Sequence, residues 1–342
     1  MHAAGVCRWE SDLMQPHRRQ ILTMTAAALA LPAVSRAALA ENFPSRPVTV
    51  IVPFAPGALN DIVARLLSDV MGKTLGQPVV VENLTGADGT IATNRVARAT
   101  ADGYTIVVGN WNTHVANSLI YSLQYDMTKD FVPVMLLPAA PMVLVAKKAT
   151  PATDLKSFVA WLKANPDKAS MGTAGVGSPP HMLALLFRQR TETQYGLIPY
   201  RGAGPAMQDV IAGQIDATFI TVAPALPQIA SGNLKVFGLT AQKRMAAAAD
   251  IPTMDEAGMP NFYFSYWSGL YAPRGTPPDV VRAIGAAAVA AMNDPQVRQK
   301  LDSQAFVTPP ADQQTAQALA ELQRAEIAKW WPVIKAAGIK AD

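Results

Sequence analysis

The chain holds one cysteine, Cys7, which precedes its first apolar stretch. A lone thiol excludes an internal disulfide and a sulfur metal site. Its position also excludes the lipid-bearing cysteine that would follow a lipoprotein signal. Histidine is nearly as scarce, at four residues, and no H-E-x-x-H pattern occurs, so nothing suggests a catalytic zinc site. There is no G-x-S-x-G elbow to anchor a hydrolase triad. Charged residues make up 16% of the chain and form no Lys/Arg run, which argues against a nucleic-acid partner. No segment beyond the N-terminal region is long and apolar enough to span a bilayer. What remains is a chain stabilised by its core and suited to small ligands.

The first forty residues read as an export signal. Arg18 and Arg19 precede an apolar, Ala- and Leu-rich stretch from Ile21 to Val34, and Ala38-Leu39-Ala40 offers a small-x-small cleavage site. Either a twin-arginine or a Sec signal fits, and Met14 is an alternative start. Removal of residues 1–40 takes away Cys7, Arg8, Arg18, Arg19 and Arg36 against Glu10 and Asp12, so the formal charge drops from +4 to +2. The expected location is the periplasm, with no cofactor and a monomeric state. The remaining length suffices for two domains of ordinary size.

Strands and helices alternate after Glu41. Val48–Val52 is a β-branched run suited to a buried strand, and Pro53 to Gly57 breaks it. A helix from Asn60, capped by Asn60 or Asp61, then carries Ile62, Val63, Leu66, Leu67 and Val70 on one face. Strand, Gly-bearing turn and helix N-terminus together point backbone N–H groups at an anion. Pro78–Glu82 and Tyr104–Val108 are the next strands, separated by a helix over Thr90–Ala99 with Ile91, Val96 and Ala97 inward. Parallel strands joined this way bring the turns at 53–60, 83–90 and 109–117 to one rim.

Pro141–Ala146 is a strand expected to cross between domains. Asp154–Ala164 is a helix capped by Thr153. A second Gly-rich turn, Ala174 to Pro180, feeds a helix from His181. Ile198–Gly202, Pro205–Ala212, Ile215–Ile220 and Leu234–Leu239 complete a second α/β unit. Thr253-Met254-Asp255-Glu256 reads as a capping box opening a very short helix. Tyr263–Ala272 is the second crossing. Helices from Thr276 through Met292 and from Asp312 to Ala337, the last burying Leu319, Leu322, Ile327 and Trp331, return to the first unit. The expected fold is α/β: a two-lobed clamshell like a type II periplasmic binding protein, with two hinge crossings. Its lobes are residues 41–142 with 267–342, and residues 143–266.

Ten stretches carry a specific resemblance. They are Pro47–Arg65 (PVTVIVPFAPGALNDIVAR), Val79–Asn83 (VVVEN), Ala101–Thr105 (ADGYT), Tyr125–Val134 (YDMTKDFVPV) and Gly172–His181 (GTAGVGSPPH). The others are Pro199–Asp209 (PYRGAGPAMQD), Gly213–Phe219 (GQIDATF), Asp250–Gly258 (DIPTMDEAG), Gly269–Pro277 (GLYAPRGTP) and Trp331–Gly338 (WPVIKAAG). In order and at matching spacing, they resemble the Bug family of substrate-binding receptors, the exported component of tripartite tricarboxylate transporters. The resemblance implies a two-lobed receptor that closes on a small organic anion and hands it to membrane permease subunits. It also implies that the first loop holds a carboxylate with its backbone, through Phe54, Ala55, Gly57, Ala58, Asn60 and Asp61. Ala58 and Leu59 stand where the family more often has glycine and a small residue. From the second lobe, Thr173, Gly175, Val176, Gly177 and Ser178 would contact the ligand from the opposite side.

Single polar residues admit two roles each. Asp61 is a helix cap or a ligand contact. Trp111 and His114 follow the third strand and are expected to face the cleft, Trp111 as an aromatic wall favouring a flat acid. Arg201 is a strand-end guanidinium that pairs with a carboxylate or with a hinge acid. Asp216 binds an amino group or a turn, and Thr221 ends a strand at the same rim. His181 is structural at its helix start, or else pairs with Ser178 in an exported hydrolase. A sensor reporting to a membrane kinase is the third class. No enzyme activity is expected.

Overall fold

The structure, a computed structural model, describes residues 43–166 and 168–340. The export segment expected over residues 1–40 lies outside the described residues. Nine strands form one sheet: β1 (Val48–Val52), β2 (Val79–Asn83), β3 (Thr105–Asn110), β4 (Phe131–Lys147), β5 (Ser170–Thr173), β6 (Gly196–Pro199), β7 (Ala217–Thr221), β8 (Leu234–Leu239) and β9 (Ser265–Pro273). Their order is β2-β1-β3-β9-β4-β7-β5-β6, with β8 also paired to β4. The helices are α1 (Leu59–Leu75), α2 (Thr90–Ala97), α3 (Asn117–Ile120), α4 (Leu155–Ala164), α5 (Pro179–Thr191), α6 (Ala203–Ile211), α7 (Val222–Ala230), α8 (Pro278–Asn293), α9 (Pro295–Ser303) and α10 (Ala316–Ala336). The fold is an α/β two-lobed clamshell with a curled mixed sheet.

Two parallel sets carry the lobes. β1 pairs in parallel with β2 and β3, and β5 pairs in parallel with β6 and β7. Parallel strands need crossovers that cover the sheet. Here α1 and α2 supply them for the first set, and β1 is accordingly buried at Val48, Val50, Ile51 and Val52. Between the sets run the antiparallel strands β9 and β4. β4 is long because it belongs to both halves. Phe131 to Pro141 pairs with β9, and Met142 to Lys147 pairs with β7 and β8. Pro133 and Pro138, which have no N–H to give, fall within or at the edge of its two register shifts against β9. The crossing expected at Pro141–Ala146 is therefore the second half of a 17-residue strand whose first half the sequence reading missed.

Thr240, just past β8, ties the two crossings together. Its hydroxyl accepts from the Met142 N–H at 2.9 Å and donates to the Phe264 carbonyl at 2.6 Å. The polypeptide thus changes lobes twice at one buried hydroxyl.

Several helix starts differ from expectation. α1 begins at Leu59 with Ala58 at the N-cap, and Asp61 in its first turn reaches back to the Gly57 N–H at 2.8 Å. α4 is capped by Asp154 rather than Thr153, in a reciprocal box with Ser157. α2 turns Ala92, Thr93 and Val96 inward and leaves Ile91 exposed. α8 starts at Pro278 rather than Pro277, and α9, not expected, is capped by Asp294. The Thr253–Glu256 box makes both of its bonds but closes a turn, not a helix. On α10 the buried stripe is Leu319, Gln323, Trp330 and Ile334.

Trp111 and His114 belong to the core, which corrects their expected place at the cleft. A single π-helical turn, Asn112–Ala116, follows β3 and rotates both side chains inward. Trp111 is fully buried edge-on against Phe264 and Trp330, with ring centroids 5.7 and 5.4 Å away. His114 stacks on Tyr271 at 3.8 Å, with Thr113 Oγ1 at 2.9 Å from Nδ1. Burial alone drives its pKa down to about 3. Close packing extends to Gly109, where an added Cβ would collide with the His114 ring and lie 2.9 Å from Tyr271.

Two outcomes follow. Gly109→Ala should cost about 1–3 kcal/mol of stability through overpacking, read from urea unfolding; an unchanged midpoint would contradict the packing described. His114 makes stability depend on pH. Below its unfolded pKa of about 6.5 the unfolded ring takes a proton that the folded ring refuses, so stability falls as pH drops towards 3. Between pH 6.5 and 5 that loss is about 1.5 kcal/mol. His114→Phe, which keeps the stacked ring, should lose less over the same interval, and equal slopes in the two proteins would remove His114 as the cause.

Candidate functional site

The sheet topology sets the place of the site. β1 and β3 run parallel, and Asn110 at the carboxyl end of β3 sits opposite Ser268 near the start of β9. β5, β6 and β7 likewise end together, and Thr221 at the end of β7 sits opposite Met142 of β4. Ser265 pairs with Pro141, one residue before Met142. Both sets of strand ends therefore face the crossings, where ligands of open α/β sheets bind.

At the first rim the three expected turns converge. Asn83 Nδ2 donates to the Phe54 carbonyl at 2.9 Å and to Asp61 Oδ1 at 2.8 Å. Gly89 has φ +86°, and a Cβ there would lie 2.8 Å from both Pro53 and Thr113. Beneath the loop Asn110 Nδ2 donates to Asn60 Oδ1 at 3.0 Å and to the Tyr266 hydroxyl at 2.7 Å, and Asn60 Nδ2 donates to Ser268 Oγ at 3.2 Å. Phe54 and Ala58 are half-buried, while Ala55 and Gly57 are exposed. Gly57 has φ +81°, a conformation glycine adopts without strain. Leu59 and Asn60 open α1, where the helix supplies no acceptor for their N–H groups.

Asp61 is part of this scaffold and not a ligand contact. It is buried, and its oxygens hold the Gly57 N–H, Asn83 and Arg65, the last at 2.9 Å. Burial would raise its pKa, but the bonds from Arg65, Gly57 and Asn83 prevail and hold it below the usual carboxylate range. Asn60, which is buried, is also scaffold through its side chain.

The second rim is a rigid turn. Gly175 and Gly177 have φ of +114° and +78°, and between them Val176 is 57% exposed. The Ser178 hydroxyl donates to the Gly175 carbonyl at 2.6 Å, and His181 Nδ1 accepts from the Gly177 N–H at 2.9 Å. Ser178 and His181 thus both serve the turn, whereas a nucleophile–base pair needs them bonded to each other. Burial and the neighbouring Arg188 lower the His181 pKa. Thr173 is buried at the end of β5, and Thr221 is half-buried at the N-cap of α7. Arg201 is exposed just beyond β6, with no acid within 4 Å among the described residues. A Cβ on Gly177 would fall 2.6 Å from Ile120 of α3, so the two lobes touch at this corner.

Asp216 is not at this rim. It precedes β7, at the opposite end of the strand, where it pairs with Lys147 at 2.7 Å and accepts from the Ser170 N–H and hydroxyl. Conversely, the sequence reading did not single out Asp88, Asn110, Asn112, Tyr266 or Ser268. Asp88 Oδ2 accepts from Asn112 Nδ2 at 2.7 Å, and its backbone is left-handed at φ +50°. Polar residues directly after apolar runs were the available signal for Asn83 and Asn110.

A cavity of about 990 Å³ opens elsewhere, between Leu136–Pro141, Thr240–Ala247, Tyr263–Trp267 and Ala305–Pro310. None of the residues expected from sequence lines it. Tyr266 bonds Asn110 at the first rim, while Trp267, on the other face of the strand, lines the cavity. The cavity is lined by Pro141, Thr240, Phe264 and Ser265 of the two crossings and by α9 and the segment that follows it.

Comparison with known proteins agrees with this geometry. The family profile for the tripartite tricarboxylate transporter family receptor, TctC, matches residues 63–339. Protein BugT of Bordetella pertussis is 33% identical over 329 residues, covering 94% of this chain and 98% of its own. MatC from Rhodopseudomonas palustris with bound malate superposes with a TM-score of 0.75 at 39% identity, covering 85% of this chain and all of its own. R. palustris Rpa4515 with adipate gives 0.77 at 30% identity, covering 88% and 100%. The chain belongs to the Bug, or TctC, family of tripartite tricarboxylate transporter receptors.

Proposed function

We propose that this protein is a periplasmic solute receptor that captures a small organic carboxylate between its lobes and delivers it to the permease of a tripartite tricarboxylate transporter. The observation that carries this reading is the pairing of two glycine-bearing turns across the crossings: the first opens α1, where Leu59 and Asn60 have no helical acceptor for their N–H groups, and the second, which leads into α5 at Pro179-Pro180, holds the exposed Val176 between two glycines. Backbone N–H groups aimed by rigid turns suit a carboxylate whatever its substituents. Arg201 adds the only guanidinium among the sequence-derived site residues. Relatives solved with malate and adipate support the ligand class. The lobes are residues 41–142 with 267–342 and residues 143–266, which agrees with the change of partners at Pro141/Met142. A ligand favours closure only by contacting both rims, and the permease reads that closed form. In this reading the protein carries the solute unchanged, as a receptor and not as an enzyme.

The preference for a flat or aromatic acid loses its residue, because Trp111 is in the core. Thermal unfolding against citrate, C4–C6 dicarboxylates, acidic amino acids, nicotinate and phthalate isomers tests the reading. A ligand at about 100 times its dissociation constant adds roughly 2.7 kcal/mol and shifts the midpoint visibly. A shift with one class and no turnover is expected; turnover of a compound would replace the receptor by an enzyme. Arg201→Ala should weaken the responding acid about tenfold or more, and an unchanged affinity would place Arg201 outside the site.

A further inference from the structure

Asp88 carries a carboxylate with one oxygen unclaimed. Oδ2 accepts from Asn112 Nδ2, and among the described residues no hydrogen-bond donor reaches Oδ1 and no Lys or Arg lies within 4 Å. The side chain is held in place by its backbone. Ala87 and Asp88 have φ of +44° and +50°, and the Asp88 carbonyl accepts from Asn117 Nδ2 at 2.9 Å. The next residue, Gly89, packs on Pro53 and Phe54, so the carboxylate stands beside the loop expected to hold the ligand's own carboxylate.

The ionisable groups around Asp88 offer no positive charge. Tyr121 and Tyr125, beyond α3, and Tyr266, on β9, are neutral phenols whose pKa values burial and the Asp88 charge both raise. His114, on the turn that supplies Asn112, is held neutral by burial and is stacked on Tyr271. Asp61 on the adjoining loop is ionised and fully engaged. Asp88 is half-buried, burial disfavours its charged form, and among the described residues no Lys or Arg lies within 4 Å to act as counter-ion.

We infer that the ligand of this cleft carries a cationic amino group beside its carboxylate, and that Asp88 is the residue that selects it. The inference rests on the reading of the cleft as a carboxylate site and narrows it to zwitterionic acids of the amino-acid type. Burial pushes the Asp88 pKa up to about 6 against the opposing bond from Asn112. Asp88 is therefore ionised at neutral pH and becomes protonated at pH 5. A bound ammonium would favour the ionised form, and capture should weaken as the carboxylate takes up its proton.

Titration calorimetry on matched pairs provides the test: glutamate against glutarate, aspartate against succinate, 4-aminobutyrate against butyrate, and leucine against 4-methylpentanoate. The wild type should bind at least one amino-bearing acid tenfold or more tightly than its partner. Asp88→Asn keeps the shape and tolerates the left-handed backbone, and Asp88→Gly relieves it, so a folding fault cannot explain a loss shared by both. Each variant should lose tenfold or more towards the amino-bearing acid and keep its affinity for the partner. From pH 7.5 to 5 the wild-type affinity should fall about tenfold, as a pKa near 6 requires, while the variants stay flat. Des-amino acids binding the wild type as tightly as their partners, or variants that retain the amino-bearing acid, would overturn the role of Asp88 and leave the carboxylate receptor standing. Absence of binding by every acid in the set would overturn both.

Discussion

The side-chain amide of Asn110 is the constraint on which the first rim depends. It is fully buried and joins three segments distant in sequence: Asn60 at the start of α1, Tyr266 on β9 and, through its oxygen, the Thr113 N–H of its own turn. An amide that makes these bonds at the end of β3 cannot shift without leaving buried polar groups unsatisfied, which is what makes such networks specify one geometry. The Phe54–Asn60 loop is consequently held from below by side chains. Asp61 performs the same service from the side, through Gly57, Asn83 and Arg65. The polar side chains of this loop stabilise the loop itself.

The lobes are joined on a similar principle. β4 belongs to both half-sheets, bordering the first beside β9 and lying between β7 and β8 in the second, with its change of partner at Pro141/Met142. A hinge made by one strand changing partners keeps its backbone bonds paired on either side of the change. Thr240 then couples the two crossings, so a rotation at Met142 is felt at Phe264. Hinge motion of this kind needs only a few residues to absorb the change in backbone angle. The contact of Ile120 with the Gly177 turn shows where the opposed rims meet.

Much of this architecture was legible in sequence, because apolar runs, glycines and prolines report local physics. The strands β1 to β3, the convergence of their turns and both glycine-bearing loops follow from periodicity and parallel connection rules. Trp111 and His114 were misplaced for a different reason. Their position after a strand suggested the rim, but a π-helical turn rotates them towards Trp330 and Tyr271, partners some 150 residues or more away in sequence. On α10 a shift of one residue moves the buried indole from Trp331 to Trp330, about 100° around a helix. Asp216 was a candidate for a ligand's amino group, yet it precedes β7, at the end of the strand opposite Thr221, and pairs with Lys147 there. The first half of β4 was not expected, and its prolines are tolerated there at register shifts. Each miss is a tertiary fact that no local window contains.

Asp88 shows how such a fact bears on function. In sequence it is one polar residue of a T-G-A-D-G turn, and turns of that composition are ordinary. Only when β2 is paired with β1, and the π-helical turn has brought Asn112 and Asn117 across, does the carboxylate stand among neutral phenols beside the loop proposed to hold the solute's carboxylate. Its left-handed backbone is one that Asp and Asn adopt more readily than most residues, and that Gly adopts without strain. A side chain at a position where glycine would be easier, with a charge that no Lys or Arg among the described residues answers within 4 Å, is a local cost carried at the rim of the proposed cleft. Strain of this kind persists where the surrounding structure fixes it and a bound partner can repay it. In this cleft the group that would repay it is a cation brought in by the solute.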